Sequence, residues 1–230
     1  MAGAVSRPAR LVSRRPVGGE LSLVALDVDA EHQSSFVTPG QYAELTIVGK
    51  NGYFALASTV LTSPWELIVK DSGDASRALL TAPIGTELSV TSALGQGFPV
   101  KETDQLPAVL AVTGSAISVL RPLLAHRESR GDLARTYVFV GVRTVAEAPL
   151  VAELSTWATK GAHVWLASSR SAEGRVPSVR VVQGYVQNAL EAALVSGEVP
   201  TGAVAFVAGH GEMVKTMSAR GALSSVYTNV

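Results

Sequence analysis

Two segments in the second half of the chain place glycine beside hydroxyl or ring side chains, directly after buried, strand-like runs. They are residues 113–118 and residues 209–211. In an open α/β sheet, ligands bind beyond the carboxyl ends of the strands, at the starts of the following helices. Gly114 and Gly209 would let the backbone approach a phosphate or a flat ring, and Ser115 would add a hydroxyl. We therefore predict a ligand site at these two segments, with ordinary strand–helix turns as the alternative.

Two arginines stand just past neighbouring predicted strands and would point into one crevice. Arg143 follows the strand predicted at residues 137–142, and Arg170 follows the strand predicted at residues 164–168. The planar guanidinium suits phosphate because it presents several donors in a fixed fork. Each arginine could instead be a solvated surface residue. Their equivalent positions favour a phosphate site.

The front half holds a second set of candidate ligand residues. Residues 73–76 precede a short helix predicted over residues 75–80, so their N–H groups and the Ser76 hydroxyl could hold a pyrophosphate. A simple helix cap is the alternative. Tyr42 and Phe54 could offer ring faces to a planar cofactor, whereas core packing is the commoner role for such rings.

The predicted secondary structure that positions these residues changes midway along the chain. The front half has short alternating segments separated by turns, and its predicted strands are residues 21–28, 41–48, 53–59, 65–70 and 87–92. Asn51-Gly52 is predicted to be a hairpin turn between two of them. Many short strands with one brief helix favour a closed, antiparallel Greek-key β-barrel.

Strands and helices alternate in the back half, beyond a polar stretch at residues 101–107. The predicted strands are residues 108–112, 137–142, 164–168 and 203–208, and the predicted helices are residues 118–127, 148–160, 182–195 and 212–220. This alternation is typical of a parallel sheet with helices on both faces. We thus predict two domains, a cofactor-binding type of β-barrel over residues 1–104 and a nucleotide-binding type of α/β domain over residues 105–230.

Composition excludes several classes of site. The chain has no cysteine, which rules out disulfides, thiolate metal sites and cysteine-ligated clusters, and its 4 histidines lack metal-ligand spacing. With 19 basic and 19 acidic residues, the chain has no net positive charge that would favour binding to nucleic acid. No apolar run reaches the ~20 residues of a membrane span. Residues 1–15 carry arginines and no acid, like the fringe of an organelle transit peptide, with a flexible start as the alternative.

Five short segments, read together, resemble the ferredoxin–NADP⁺ reductase superfamily over about residues 11–227. They are residues 39–42, 54–58, 113–118, 184–187 and 208–213. The resemblance implies an oxidoreductase, a flavoprotein that holds FAD in the barrel and NADP or NAD in the α/β domain, with hydride passing from nicotinamide to flavin. Residues 54–58 look like the variant found in a plastid group of ferredoxin-reductase-like proteins, which implies a chloroplast location.

The resemblance implies flavin-binding roles for residues of the barrel. It implies that Phe54 stacks on the isoalloxazine ring, that Ala55 lies near flavin N5 and that Ser58 closes the motif. The residues that would hold the FAD pyrophosphate are Gly73, Ala75 and Ser76.

Pyridine-nucleotide roles fall on the α/β domain in the same way. Gly114, Ser115 and Gly209 resemble residues that meet the nicotinamide nucleotide, and Arg143 resembles an arginine near its phosphates. The residues that resemble a grip on the 2′-phosphate of NADP are Arg170, Tyr185 and Gln187.

The chain also departs from the superfamily pattern at key positions. Gly52 stands where an arginine would pair with the FAD pyrophosphate, Ala55 lacks a hydroxyl, and Ala116 and Ala208 replace a glycine and a cysteine. Loss of one charge-assisted hydrogen bond costs about 1.5–3 kcal/mol, so flavin binding would be weakened. No side chain is identified as a catalytic acid or base.

The leading expectation is an FAD-dependent NAD(P)H oxidoreductase that transfers electrons to a partner protein or a small acceptor. One alternative is a catalytically degenerate relative that acts as a structural or regulatory subunit of a larger complex. A third reading is a nucleotide sensor that binds pyridine nucleotide without flavin.

Overall fold

The computed structural model describes residues 5–218 and 223–228. Its first half is an antiparallel sheet of six strands in the order β4-β3-β6-β1-β2-β5. The strands are β1 (Ser6–Gly18), β2 (Leu21–Asp27), β3 (Tyr42–Ile47), β4 (Lys50–Ala55), β5 (Trp65–Lys70) and β6 (Glu87–Thr91). A bridge between Leu56 and Leu67 joins the chain just after β4 to β5, so the two edges of the sheet meet and a barrel forms.

Alternating side chains fill the barrel. In β3 the pattern of burial alternates strictly, with Ala43, Leu45 and Ile47 turned into the core. Two helices accompany the barrel, α1 (Ala30–Ser35) and α2 (Asp74–Thr81). Helix α2 lies where the short helix was predicted.

Two details of the barrel correct the sequence-based expectations. Residues 6–15 are not a flexible start, because Ser6–Gly18 forms β1 and pairs with both β2 and β6. The hairpin turn between β3 and β4 is Val48-Gly49, where both residues have positive φ, rather than Asn51-Gly52. Gly52 instead lies inside β4, opposite Leu45.

The second half is a parallel sheet of six strands in the order β10-β9-β8-β7-β11-β12. The strands are β7 (Ala108–Thr113), β8 (Thr136–Thr144), β9 (His163–Ser171), β10 (Arg180–Gln183), β11 (Val204–Ala208) and β12 (Ser225–Thr228). The helices are α3 (Leu120–Ser129), α4 (Val151–Thr159), α5 (Val186–Val195) and α6 (Gly211–Ser218). The predicted fold class, a barrel followed by an α/β domain, is confirmed.

Alternate residues of the parallel strands pack into two different hydrophobic cores. Leu110 of β7 packs in a cluster with residues of α3 and α4, whereas its neighbour Val109 packs in a cluster with residues of α5 and α6. Helices therefore cover both faces of this sheet, as doubly wound folds require.

The sequence does not predict the strands at the two edges of the parallel sheet. Residues 182–195 were predicted as one helix, but Arg180–Gln183 forms β10 and the helix begins at Val186. Ser225–Thr228 was not predicted as a strand and forms β12. Both are short, and neither contains a fully buried residue, so neither shows the apolar run of a central strand.

The two halves share one core and several hydrogen bonds. Phe98, which follows the barrel, contacts Phe206 of β11 with ring centroids 5.2 Å apart. Leu150 N–H donates to Val17 O of β1 at 2.7 Å. The predicted boundary at residues 104 and 105 falls between β6 and β7. In the described part of the chain, no helix is long and apolar enough to cross a membrane.

Candidate functional site

A cleft of about 1370 Å³ lies where the barrel meets the carboxyl ends of the parallel strands. Its barrel wall is largely apolar and aromatic, and includes Tyr42, Tyr53, Phe54, Ala55, Ile68 and Leu94. Its α/β wall is rich in glycine and polar groups, and includes Gly114, Ser115, Arg143, Tyr185, Gln187 and Gly209. Tyr53 and Tyr185 line the cleft while remaining 65% and 61% exposed, so the cleft is open to solvent beside them.

The aromatic rings of the barrel wall come from two paired strands. Tyr42 of β3 pairs with Ala55 of β4, and the Tyr42 and Tyr53 rings meet edge to face with centroids 5.9 Å apart. Phe54 is half-buried and leans over Gly52, since a Cβ at Gly52 would lie 3.0 Å from Phe54 Cε2. The wall thus offers a flat ligand an apolar surface.

Gly114 opens the α/β wall at the end of β7. Its φ is +60°, and a Cβ placed there would have no neighbour within 4 Å. A 3₁₀ turn, Gly114–Val119, follows it and leads into α3. Gly114 thus provides both the left-handed turn and unfilled space beside the cleft.

Gly209 brings the end of β11 against the end of β7. A Cβ at Gly209 would lie only 2.2 Å from Thr113 Oγ1, and its φ is +130°. The next residue, His210, donates its backbone N–H to Thr113 Oγ1 at 2.9 Å. Glycine is therefore required for packing at this position, whatever ligand binds beside it.

Charged side chains meet at the edge of the cleft. Glu20 of the barrel accepts a hydrogen bond from Lys70 Nζ, with the two atoms 2.8 Å apart. This hydrogen bond and the Lys70 charge lower the pKa of Glu20, and the Arg143 charge adds to the effect against a smaller opposing effect of burial. Arg143 itself forms no ion pair within 4.0 Å in residues 5–218 and 223–228. It is therefore a cation free to meet an anionic ligand.

The cleft brings together most of the predicted site residues. Those that line it are Tyr42, Phe54, Ala55, Gly114, Ser115, Arg143, Tyr185, Gln187 and Gly209. Those outside its lining are Ser58, Gly73, Ala75, Ser76 and Arg170. Ser58 is buried, and its hydroxyl has no hydrogen-bond partner among the described residues. Arg170 is exposed at the end of β9.

The start of α2 is occupied by the chain's own groups. Ser76 Oγ accepts hydrogen bonds from the N–H groups of Ser72 and Gly73, each at 3.0 Å, and donates to Gly73 O at 2.9 Å. Ala75 is buried against β4, and a Cβ at Gly52 would lie 2.8 Å from Ala75 Cβ. The apolar barrel wall suits the isoalloxazine ring of FAD, whereas position 52 has no room for a cationic side chain that would pair with its diphosphate.

Several lining residues were missed by the sequence analysis. Glu20, Lys70 and Glu147 all line the cleft. Glu20 is placed by the turn at Gly18-Gly19, where a Cβ at Gly18 would overlap Ala148 O at 2.2 Å. The paired glycines are a turn signal, but only the docking of the two domains shows that this turn reaches the cleft.

The comparisons with known proteins agree with this architecture. No protein-family model and no curated protein sequence matches the chain. Among solved structures, it is similar to a ferredoxin NADP⁺ reductase from Neisseria gonorrhoeae with bound FAD and NADP (TM-score 0.77, 14% identity, covering 98% of this chain and 99% of that one).

Two further structures show the same arrangement. One is the flavohem-like FAD/NAD binding domain of nitric oxide dioxygenase from Vibrio cholerae (TM-score 0.75, 16% identity, covering 96% and 98%). The other is the Amycolatopsis cytochrome P450 reductase GcoB (TM-score 0.76, 21% identity, covering 100% of this chain and 71% of that one). The chain therefore has the two-domain fold of the ferredoxin–NADP⁺ reductase superfamily.

Proposed function

We propose that the protein is a flavin-dependent NAD(P)H oxidoreductase that takes FAD as its flavin and passes electrons to a protein or small acceptor. The observation that carries the proposal is the cleft itself. One wall is largely apolar and aromatic, and the other presents glycines, a hydroxyl and Arg143, which has no ion pair among the described residues. A flat ring on the first wall and a nucleotide on the second would meet within this single cleft.

The chain's own residues divide the binding work in this proposal. Phe54, Tyr42 and Ala55 contact the isoalloxazine. Gly114 leaves room for the nicotinamide nucleotide, and Ser115 and Gly209 line its site at the ends of β7 and β11. The residues proposed for the nucleotide phosphates are Arg143, Arg170, Tyr185 and Gln187. A bound flavin supplies the two-electron chemistry, and the protein supplies position and a shielded site.

A second candidate function is a structural or regulatory subunit in a larger complex. The observation that favours it is the close packing of Gly52 on Ala75, which leaves no room for an arginine side chain at position 52. Under the first function the electron acceptor is a protein or a small molecule, and under the second the partner is another protein. The resemblance of residues 54–58 supports a plastid location.

Absorption spectroscopy of the purified protein tests the proposal. With added FAD, we expect a perturbed flavin band that bleaches when NADPH is added without oxygen. A protein that leaves the flavin spectrum unchanged and does not oxidise NADPH would contradict it. A melting temperature that rises with NADPH but not with flavin would instead support a nucleotide sensor.

A further inference from the structure

Glu20 is an acidic side chain of the cleft that lies within electrostatic reach of two cations. It lines the cleft together with Lys70 of the barrel wall and Arg143 of the α/β wall. Lys70 Nζ donates to Glu20 Oε2 at 2.8 Å. The hydrogen bond and the charge of Lys70 lower the pKa of Glu20, and the charge of Arg143 adds to this effect. One carboxylate therefore interacts with a cation of each wall.

The turn that carries Glu20 is held against the α/β domain. The φ of Gly18 is +118°, and a Cβ placed there would lie only 2.2 Å from Ala148 O. Leu150 N–H donates to Val17 O at 2.7 Å, which fixes the end of β1 just before the turn. Because the backbone on this side of Glu20 is fixed by the docking of the two domains, its carboxylate stays at the edge of the cleft.

The ion pair between Glu20 and Lys70 is exposed enough to be exchanged for a ligand. The Glu20 side chain is 67% exposed and the Lys70 side chain is 37% exposed. Ion pairs at such positions are weak, because water solvates both charges and the side chains lose entropy when they pair. A phosphate group offers several charged acceptor oxygens, so it is a strong alternative partner for the Lys70 ammonium. The released Glu20 carboxylate would return to water.

From these contacts we propose that Glu20 competes with the phosphates of NAD(P)H for the cations of the cleft, and so limits the affinity for the nucleotide. A phosphate that uses Lys70 and Arg143 must first take Lys70 from the Glu20 carboxylate. Glu20 therefore selects for ligands with enough negative charge to replace it. The inference rests on the proposed function, since it names a residue that determines specificity in the same cleft.

A second carboxylate of the cleft, Glu147, provides a matched comparison. It also lines the cleft, and it has no ion pair among residues 5–218 and 223–228. If negative charge in the cleft merely repelled the nucleotide, loss of either carboxylate would help binding to a similar extent. If Glu20 competes for Lys70, loss of Glu20 helps more, because it also releases the Lys70 ammonium.

Calorimetric titration of the full chain with NADPH tests the inference. We expect Glu20→Gln to lower the dissociation constant about three- to tenfold, the range of two exposed charge interactions, and Glu147→Gln to lower it less than about twofold. Glu87→Gln, at an exposed ion pair with Arg10 outside the cleft, should leave it unchanged. Equal dissociation constants for wild type and Glu20→Gln, or equal gains for both cleft variants, would overturn the inference but not the proposed function. If neither wild type nor Glu20→Gln binds NADPH, both proposals fail.

A double-mutant cycle with Lys70 tests the physical reason. In a Lys70→Gln background there is no ammonium to release, so Glu20→Gln should lower the NADPH dissociation constant by less than about twofold. Melting temperatures of the single and double variants show that each is folded. A gain from Glu20→Gln that is as large without Lys70 as with it would mean that the carboxylate only repels the nucleotide, and would overturn the inference.

Discussion

Arg121 of α3 and Glu66 of β5 form an ion pair that crosses from the α/β domain to the barrel. Arg121 Nε also donates to Glu153 Oε2 of α4 at 2.8 Å, and Arg121 Nη1 donates to Ala57 O at 3.3 Å. The three charged side chains are only 20–28% exposed. One guanidinium thus holds both walls of the cleft in a fixed relation.

Replacing this guanidinium should loosen the domain boundary. Arg121→Leu leaves the two carboxylates partly buried without a cation, and we expect a loss of about 2–3 kcal/mol in the free energy of unfolding. Chemical denaturation measures it. Arg10→Leu removes an exposed pair with Glu87 and should cost no more than about 1 kcal/mol. Equal losses of unfolding free energy in the two variants would show that Arg121 does not hold the two domains together.

The approach of β11 to β7 predicts a sharp difference between two nearby glycines. Gly209→Ala should lower stability by about 1–3 kcal/mol or more, because the new methyl would overlap Thr113 and the residue would keep a left-handed φ. Gly211→Ala has no neighbour within 4 Å and should be neutral or slightly stabilising at the start of α6. Melting temperatures of the two variants check this, and similar values would refute it.

The contact between β4 and α2 predicts that Gly52 tolerates no side chain. Gly52→Ala should cost about 1–3 kcal/mol through overpacking, because its methyl would lie 2.8 Å from Ala75 Cβ. Gly211→Ala, where a Cβ meets nothing within 4 Å, should change stability by less than about 0.5 kcal/mol. Urea denaturation measures the free energy of unfolding of both variants. A fully stable Gly52→Ala would mean that β4 and α2 can move apart.

Arg143, which lines the cleft, should dominate nucleotide affinity. Arg143→Gln removes a charge-assisted hydrogen bond worth about 1.5–3 kcal/mol, so we expect NADPH to bind about 10- to 100-fold more weakly. Arg170→Gln should have a smaller effect, since Arg170 does not line the cleft. Calorimetric titration with NADPH measures both. A larger loss for Arg170→Gln would move the phosphate site away from Arg143.

The buried carboxylate beside the interdomain segment predicts acid sensitivity. Burial raises the pKa of Asp132, but hydrogen bonds from Gln105 N–H at 2.9 Å and Arg135 NH2 at 2.7 Å, together with the Arg127 charge, outweigh it and lower the pKa. A lowered folded-state pKa stabilises above the ordinary aspartate value of about 4, and this stability is lost as pH falls through the folded pKa.

Asp132→Asn should therefore flatten the decline of stability with acid. We expect the wild-type melting temperature to fall more steeply than that of Asp132→Asn as pH drops from about 5 to about 3. Glu87→Gln, a variant at an exposed carboxylate, serves as the control. Parallel curves for wild type and Asp132→Asn would show that Asp132 has no lowered pKa in the folded protein.

The sequence by itself determined the two-domain fold and nine of the residues that line the cleft. Buried strands such as β7 and β11 are nearly continuous apolar runs, and glycines 114 and 209 mark their carboxyl ends, so local pattern was enough to place them. The edge strands β10 and β12 lack such runs, because each pairs with only one neighbouring strand and is only partly buried.

Only the tertiary structure decided which of these residues face a common space. Ala75 and Ser76, which the resemblance assigns to the FAD diphosphate, are both buried, and Ala75 packs on Gly52 of β4. Glu20 and Lys70 reach the cleft because the β1–β2 turn and β5 dock beside the α/β domain. Such contacts join residues far apart in the chain, so no local pattern of residue types encodes them.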